Sequence, residues 1–174
     1  GQEAAPGVSQ VVKPIAEIVK KAGFSYRILH YNNLNPKDIA RFSHIIICGT
    51  ALKDNDYLKN IKKFNWLKEL DKPVLGICSG MQIIALHFNA KIAKVKEIGM
   101  TKINVREPNL LFKEDFEAYE LHGNDLKNLV SFDVLAESKE SVQAIKHKTR
   151  KFYGIMFHPE VRNENITKNF LLLK

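Results

Sequence analysis

The chain has 174 residues, of which 45% are apolar and 26% charged, and its formal net charge is +8. No apolar run reaches the ~18 residues that cross a bilayer, and the N-terminus lacks the basic-then-apolar pattern of a signal peptide. We therefore predict a globular domain over residues 1–174, long enough to bury its own core, with no membrane partner.

The positive charge raises nucleic acid as a partner. The lysines, however, are spread along the chain beside acids and are not interleaved with aromatic residues as in a base-stacking strand. This pattern disfavours nucleic-acid binding and favours a solvated, lysine-rich surface. The two cysteines, Cys48 and Cys78, permit at most one disulfide, a usage that fits a reducing cytoplasm.

Hydrophobic periodicity in the first half of the chain alternates between helix and strand. It predicts an amphipathic helix over 9–22 that ends at Gly23, a strand over 26–30, a turn over 32–36, a buried strand over 44–48, a helix over 58–70, a strand over 73–77 and a helix from Ser79. Strands that alternate with helices predict an α/β fold with a mostly parallel central sheet flanked by helices.

After Asn89 the pattern changes to short strands separated by polar segments. They are predicted over 91–95, 101–105, 117–122, 130–137, 141–147 and 152–157, followed by a last helix over about 164–173. Part of this C-terminal region is therefore expected to be antiparallel. A doubly wound sheet usually opens with a buried strand, which "GQEAAPGVSQ" is not. Either the sheet begins elsewhere or the sequence lacks an N-terminal strand.

The stretch "KPVLGICSGMQIIALHF" contains a strand-to-helix corner that indicates a candidate catalytic site. The apolar strand ends at Cys78, with Gly76 two residues before it, Gly80 two residues after it and a helix following at once. Such a G-x-C-x-G turn lifts its central side chain above the carboxyl end of a sheet, as a nucleophile elbow does. The N–H groups of the helix favour a thiolate. A lone cysteine is more often a small core residue, but the two glycines favour a nucleophile.

A thiol nucleophile needs a base and an orienting acid. The stretch "FYGIMFHPE" ends an apolar strand at His158, and Pro159 continues an extended path to Glu160. Residues two apart in extended chain point the same way, about 7 Å apart. The Glu160 carboxylate can therefore reach the imidazole of His158, although a strand-end histidine is otherwise most often a polar cap.

Together, "GICSGMQ" and "FYGIMFHPEV" make the chain from about Ile45 to Leu172 resemble the class I (triad) glutamine amidotransferases. The resemblance implies Cys78 as nucleophile, His158 as base and Glu160 as its orienter. Within that family, the chain resembles the glutaminase of GMP synthetase at three segments, "YELHGNDL", "GMQ" and "KFYG". The resemblance is to the two-subunit form of that enzyme, in which the glutaminase is a separate subunit.

The resemblance also implies the remaining site residues. Gln82 matches the glutamine that holds the amino-acid end of the substrate, and the backbone around His122 and Gly123 is expected to line the same pocket. The oxyanion loop is implied at Gly49 and Thr50, in "CGTALKDND" where the family usually has Gly-Gly-Pro, with a further N–H from Ser79. Any residue but proline can supply such an N–H.

The implied activity is hydrolysis of L-glutamine to glutamate and ammonia, with no metal or organic cofactor needed. Ammonia would pass to an ATP-dependent synthetase, for which GMP synthesis is the first expectation. Alternatives are the glutaminase of anthranilate, aminodeoxychorismate, carbamoyl phosphate or CTP synthesis, a γ-glutamyl peptide hydrolase, and a non-catalytic regulatory relative. The loop with Asp54 and Asp56 is expected to order only on docking, which predicts a poor glutaminase when the chain is alone.

Overall fold

The computed structural model describes residues 8–50 and 54–174, and its elements follow the predicted alternation. The α-helices are α1 (Val8–Lys21), α2 (Pro36–Ile39), α3 (Asp56–Lys59), α4 (Ser79–Leu86) and α5 (Glu164–Leu171), with 3-10 helices at Tyr31–Asn33 and Ile61–Glu69. The strands are β1 (Ile45–Ile47), β2 (Val74–Ile77), β3 (Lys91–Val105), β4 (Phe116–Lys127), β5 (Phe132–Glu137), β6 (Val142–His147) and β7 (Phe152–Ile155).

These strands form one seven-stranded mixed sheet in the order β1-β2-β7-β6-β5-β3-β4. The pairs β1–β2 and β2–β7 are parallel. The pairs β7–β6, β6–β5, β5–β3 and β3–β4 are antiparallel. The predicted α/β class is confirmed, with its parallel part confined to β1, β2 and β7.

Both faces of the parallel strands are covered by apolar side chains. Successive residues of a strand point to opposite faces. Val74 and Phe152 therefore lie in one buried cluster, and Leu75 and Tyr153 lie in the other. One cluster includes side chains of α1 and α5, and the other includes side chains of α4 and the second 3-10 helix. This two-sided burial explains why β2 and β7 have nearly continuous apolar sequences.

Three expectations about elements are corrected. The strand predicted over 26–30 is wrong, because that described segment is exposed and lies outside the sheet, in which β1 pairs with β2. The helix predicted over 58–70 is a short α-helix, α3, followed by a 3-10 helix. The two strands predicted over 91–95 and 101–105 are one strand, β3, with a register shift between Lys94 and Glu97 in its pairing with β4.

Candidate active site

Cys78 lies on the corner between β2 and α4 in a strained backbone conformation. Its φ is 55° and its ψ is −111°, a region that side-chain-bearing residues rarely adopt. Such a conformation costs about 1–3 kcal/mol and persists where the surrounding structure fixes it. The Cys78 N–H donates to the Ile155 carbonyl at the end of β7 (2.8 Å). This bond connects the corner to the strand that precedes His158.

The two glycines of the motif are required by close backbone approach. A Cβ at Gly76 would lie 2.4 Å from the carbonyl oxygen of Gly80. A Cβ at Gly80 would lie 2.0 Å from the carbonyl oxygen of Ile47 in β1. Real Cβ contacts of this length do not occur, and backbone atoms cannot swing aside as a flexible side chain can. The G-x-C-x-G pattern therefore reflects packing of the corner against itself and against β1.

His158 and Glu160, just beyond β7, form the pair that their spacing predicts. His158 Nδ1 lies 2.7 Å from Glu160 Oε1, so an Nδ1–H donates to the carboxylate. Both side chains are almost fully buried. His158 Nε2 makes no hydrogen bond within the part of the chain that the structure describes. The contact with Glu160 thus fixes the orientation of the ring and leaves Nε2 without a hydrogen-bond partner among those residues.

Burial and charge act in opposite directions on His158. Burial disfavours the charged imidazolium, but the interactions with Cys78 and then with Glu160 outweigh it and raise the pKa of His158 to about 10. At neutral pH the imidazole therefore carries a proton beside the sulfur. In contrast, burial first and the Glu160 charge second raise the pKa of the other thiol, Cys48, to about 12, which keeps Cys48 protonated.

The residues implied for the oxyanion site lie around the same corner. A Cβ at Gly49 would lie 3.0 Å from Cys78 Cβ and 3.7 Å from His158 Cε1, so residue 49 packs against both residues. Thr50 and Ser79 line the pocket that contains Cys78. The Thr50 hydroxyl donates to the Asp54 carbonyl at 3.1 Å. The rest of the loop that the sequence singled out, residues 51–53, lies outside the described residues.

The same pocket is lined by Gln82 together with two residues, Tyr57 and Asn124, that the sequence did not single out. The buried Gln82 amide oxygen accepts a hydrogen bond from the Tyr57 hydroxyl of α3. Asn124 Nδ2 lies 3.3 Å from the Tyr57 oxygen and 3.4 Å from Gln82 Oε1. Burial raises the pKa of Tyr57 to about 12, so its hydroxyl stays a donor. Asn124 lies within the quoted "YELHGNDL", whereas no local pattern distinguishes Tyr57 from a core residue.

His122 and Gly123 also line this pocket, on β4. The carbonyl of Leu121, the residue before His122, lies 3.7 Å from Cys78 Sγ. The imidazole of His122, however, is engaged by two buried carboxylates, with Nε2 3.0 Å from Glu97 Oε1 and 3.2 Å from Glu120 Oε2. Burial alone would lower the pKa of His122, but Glu120 and Glu97 together raise it.

All nine residues implied by the resemblance therefore lie around one corner of the sheet. A larger surface cavity of about 290 Å³ lies elsewhere, between the connection from β3 to β4 and α5, and contains none of them. Over residues 8–50 and 54–174, no helix has the length and apolar character needed to cross a membrane.

Comparison with known proteins identifies the family. The family model described as "Glutamine amidotransferase class-I" matches residues 8–173. The chain belongs to the class-I glutamine amidotransferase family. This match covers both sequence motifs, "GICSGMQ" and "FYGIMFHPEV", and every strand of the sheet.

Several amidotransferase relatives share the name of one enzyme, the glutamine-hydrolyzing GMP synthase. The chain is 34% identical over 154 residues to a separate subunit of this synthase from Thermoplasma volcanium, an alignment that covers 82% of this chain and 76% of that protein. It is 32% identical over 176 residues to the glutamine-hydrolyzing GMP synthase of Borreliella burgdorferi, which covers 94% of this chain but 34% of that longer protein.

Solved structures agree with this amidotransferase assignment. A Thermoplasma acidophilum protein, described as a candidate subunit of GMP synthase, superimposes with a TM-score of 0.86 at 27% identity, over 92% of this chain and 86% of that one. A glutamine amidotransferase of Thermotoga maritima matches in fold, with a TM-score of 0.70 at 19% identity over 93% of this chain and 74% of that one.

Proposed function

We propose that this chain is a glutaminase that hydrolyses L-glutamine to glutamate and ammonia through Cys78, His158 and Glu160. The observation that carries the proposal is the 2.7 Å contact between His158 Nδ1 and Glu160 Oε1, beside a cysteine held at φ 55° on the corner before α4. This arrangement supplies a nucleophile, a proton carrier and the acid that orients it.

The first half of the reaction forms a thioester. His158 holds the proton of the Cys78 thiol, and the sulfur attacks the carbon of the glutamine side-chain amide. The C=O electron pair moves to oxygen, where N–H groups near Gly49–Thr50 and at Ser79 stabilise the negative charge. When the intermediate collapses, the C–N bond breaks, and the departing nitrogen takes the proton from His158 and leaves as ammonia.

The second half of the reaction consumes one water. His158 accepts a proton from the water as its oxygen attacks the γ-glutamyl thioester. The C–S bond then breaks, which releases glutamate and regenerates the Cys78 sulfur with a protonated His158 beside it. The proposal assigns Gln82, together with the backbone of His122 and Gly123, to the wall that holds the amino-acid end of the substrate.

We further propose that the ammonia passes to an ATP-dependent synthetase partner that makes GMP from XMP. The names of the relatives support this choice, since those of Thermoplasma are separate subunits of GMP synthase. The Borreliella relative also supports it, because the region similar to this chain is one third of a longer GMP synthase.

The test combines covalent labelling with turnover. A diazo-ketone analogue of glutamine should modify Cys78 and leave Cys48 unmodified, as read by mass spectrometry of the digested protein. Cys78→Ala, which retains Cys48, is the control and should show no label. Labelling chiefly at Cys48 would contradict the assignment of the nucleophile.

Glutamate release should then be measured for the chain alone and with the synthetase partner of GMP synthesis, ATP and XMP. We expect low activity alone and an increase of ~10²-fold on docking, the contribution of one oxyanion donor brought into place. Equal rates in the two conditions would contradict dependence on a partner, while the labelling result would still stand.

A further inference from the structure

A second cluster of ionisable side chains lies behind the pocket wall, outside the catalytic triad. Glu97 on β3 pairs in register with His122 on β4, and Glu120 lies two residues before His122 on the same strand face. The three residues are 8%, 0% and 2% exposed for Glu97, Glu120 and His122. One ligand atom from each lies within 4.8 Å of the others.

The two carboxylates of this cluster are satisfied unequally. Glu97 accepts from Ser138 Oγ at 2.9 Å, from Gln143 Nε2 at 3.2 Å and from Ser141 Oγ. Glu120 is fully buried, yet within the described residues neither of its oxygens accepts a hydrogen bond of acceptable geometry, although Oε2 lies 3.2 Å from His122 Nε2. A buried carboxylate without such partners costs several kcal/mol. A bound cation at Glu120 would offset that cost.

The histidine is oriented as metal-bound histidines usually are. His122 Nδ1 lies 2.9 Å from the Asn124 carbonyl, so the Nδ1–H donates to the backbone and Nε2 is directed at the two carboxylates. A metal-ligating histidine characteristically donates its other N–H in this way. Glu97 is held in place in turn by Ser138 and Gln143, the support that ligating carboxylates also need.

The distances also suit a small divalent ion. Ligand atoms 2.0–2.1 Å from one ion lie roughly 3 Å from their neighbours in the coordination shell. The measured separations from His122 Nε2 are 3.0 Å to Glu97 and 3.2 Å to Glu120. One imidazole and two carboxylates are a donor set that zinc accepts, and a dication would neutralise both carboxylates.

We infer that Glu97, Glu120 and His122 bind a divalent cation of the zinc type that fixes strand β4 behind the pocket. The ion takes no part in the hydrolysis, for which the sequence predicts no metal. Its effect on the site passes through Leu121, between two of the ligands, whose carbonyl lies 3.7 Å from Cys78 Sγ. This link to the pocket rests on the proposed function, whereas binding of the ion does not.

The test is zinc and cobalt binding by the purified, chelator-treated full chain. It is made in a Cys78→Ala background, so that the triad thiol cannot hold the metal. We expect one equivalent of zinc by elemental analysis after dialysis, and a melting temperature that rises with added zinc. Cobalt should give visible d–d bands without a thiolate charge-transfer band.

The matched pair of variants is Glu120→Gln and Glu117→Gln. Both are on β4, but the Glu117 side chain is 61% exposed. Glu120→Gln replaces the carboxylate by an amide of the same shape and so removes a charged ligand. It should weaken zinc binding at least ~10²-fold, which is more than the usual effect of losing a residue that only hydrogen-bonds to a ligand. Glu117→Gln should bind zinc as the parent does.

Three outcomes would overturn the inference: no zinc retained by the parent, cobalt bands that report sulfur ligation, or equal zinc affinity in both variants. The parent cobalt spectrum decides the question even if Glu120→Gln fails to fold. Because each readout is independent of turnover, a failed metal site and a failed glutaminase assignment remain distinguishable.

Discussion

The parallel strands and the antiparallel strands build their parts of the pocket in different ways. At the corner after β2, geometry is set by the backbone: a cysteine at φ 55° and glycines with no room for a Cβ. On β3 and β4, geometry is set by buried side chains, with His122 held between Glu97 and Glu120. The first kind of site tolerates almost no change of local shape, whereas the second depends on charge.

The largest expected effect is loss of His158, the proposed proton carrier beside the parallel strands. His158→Ala should reduce glutamate release by at least ~10²-fold, because a positioned acid–base group contributes that much or more. Glu160→Gln should cost less, since it orients the ring and transfers no proton. The measurement is steady-state glutaminase activity with the synthetase partner present. Near-normal activity of His158→Ala would refute the triad.

The next effect concerns the backbone contact at the corner. Gly80→Ala should lower the free energy of unfolding by about 3 kcal/mol, because its Cβ would overlap the rigid Ile47 carbonyl. Gly154→Ala on β7 is the control. Its Cβ would meet the buried side chains of Met81 (Cγ at 2.6 Å) and Ile145 (Cγ1 at 3.0 Å) and no backbone atom at such a distance, so a smaller loss is expected. Urea denaturation measures the free energy of unfolding of both variants. Equal decreases would show that overlap with a backbone atom does not determine the destabilisation.

The same division explains what could be predicted from the sequence. Cys78 and its glycines lie within five consecutive residues, and His158 and Glu160 within three, so local spacing was enough to locate them. The cluster around His122 draws on β3, β4, β6 and the turn before β6, and its members come together only through strand register. No local period indicates such a set, and Tyr57 was missed for the same reason.

Errors in the fold have a similar physical origin. Residues 26–30 have the composition of a strand, but strand formation also needs a neighbouring strand to accept the hydrogen bonds. The sequence pattern contains no information about that neighbour. The α/β class was predictable, because two-sided burial leaves continuous apolar runs at β1, β2 and β7.

A smaller effect should appear in the pH dependence of stability. The pKa of His158 is raised from 6.5 to about 10 in the folded protein. A raised pKa stabilises the fold fully below the unfolded value, and this stabilisation is lost as pH rises from 6.5 through 10. The melting-temperature advantage of the parent over His158→Gln should therefore shrink over that window, by about 2–4 °C for each kcal/mol of stability that is lost.

The control for that measurement is Glu160→Gln. It removes one of the groups that raise the pKa of His158, so this variant should show a weaker dependence on pH over the same window. A gap between parent and His158→Gln that stays constant from pH 6.5 to 10 would contradict a protonated resting imidazole.

The smallest effect tests whether the corner stores strain. At φ 55° and ψ −111°, alanine keeps the unfavourable backbone conformation of Cys78, whereas glycine relieves it. Glycine also makes the unfolded chain more flexible, which offsets about 0.5–1 kcal/mol of that relief. We expect Cys78→Gly to be more stable than Cys78→Ala by about 1 kcal/mol, with both variants inactive. Chemical denaturation of the two proteins measures this difference. If Cys78→Ala proves the more stable, the backbone at residue 78 is not strained. The corner after β2 would then store no conformational energy.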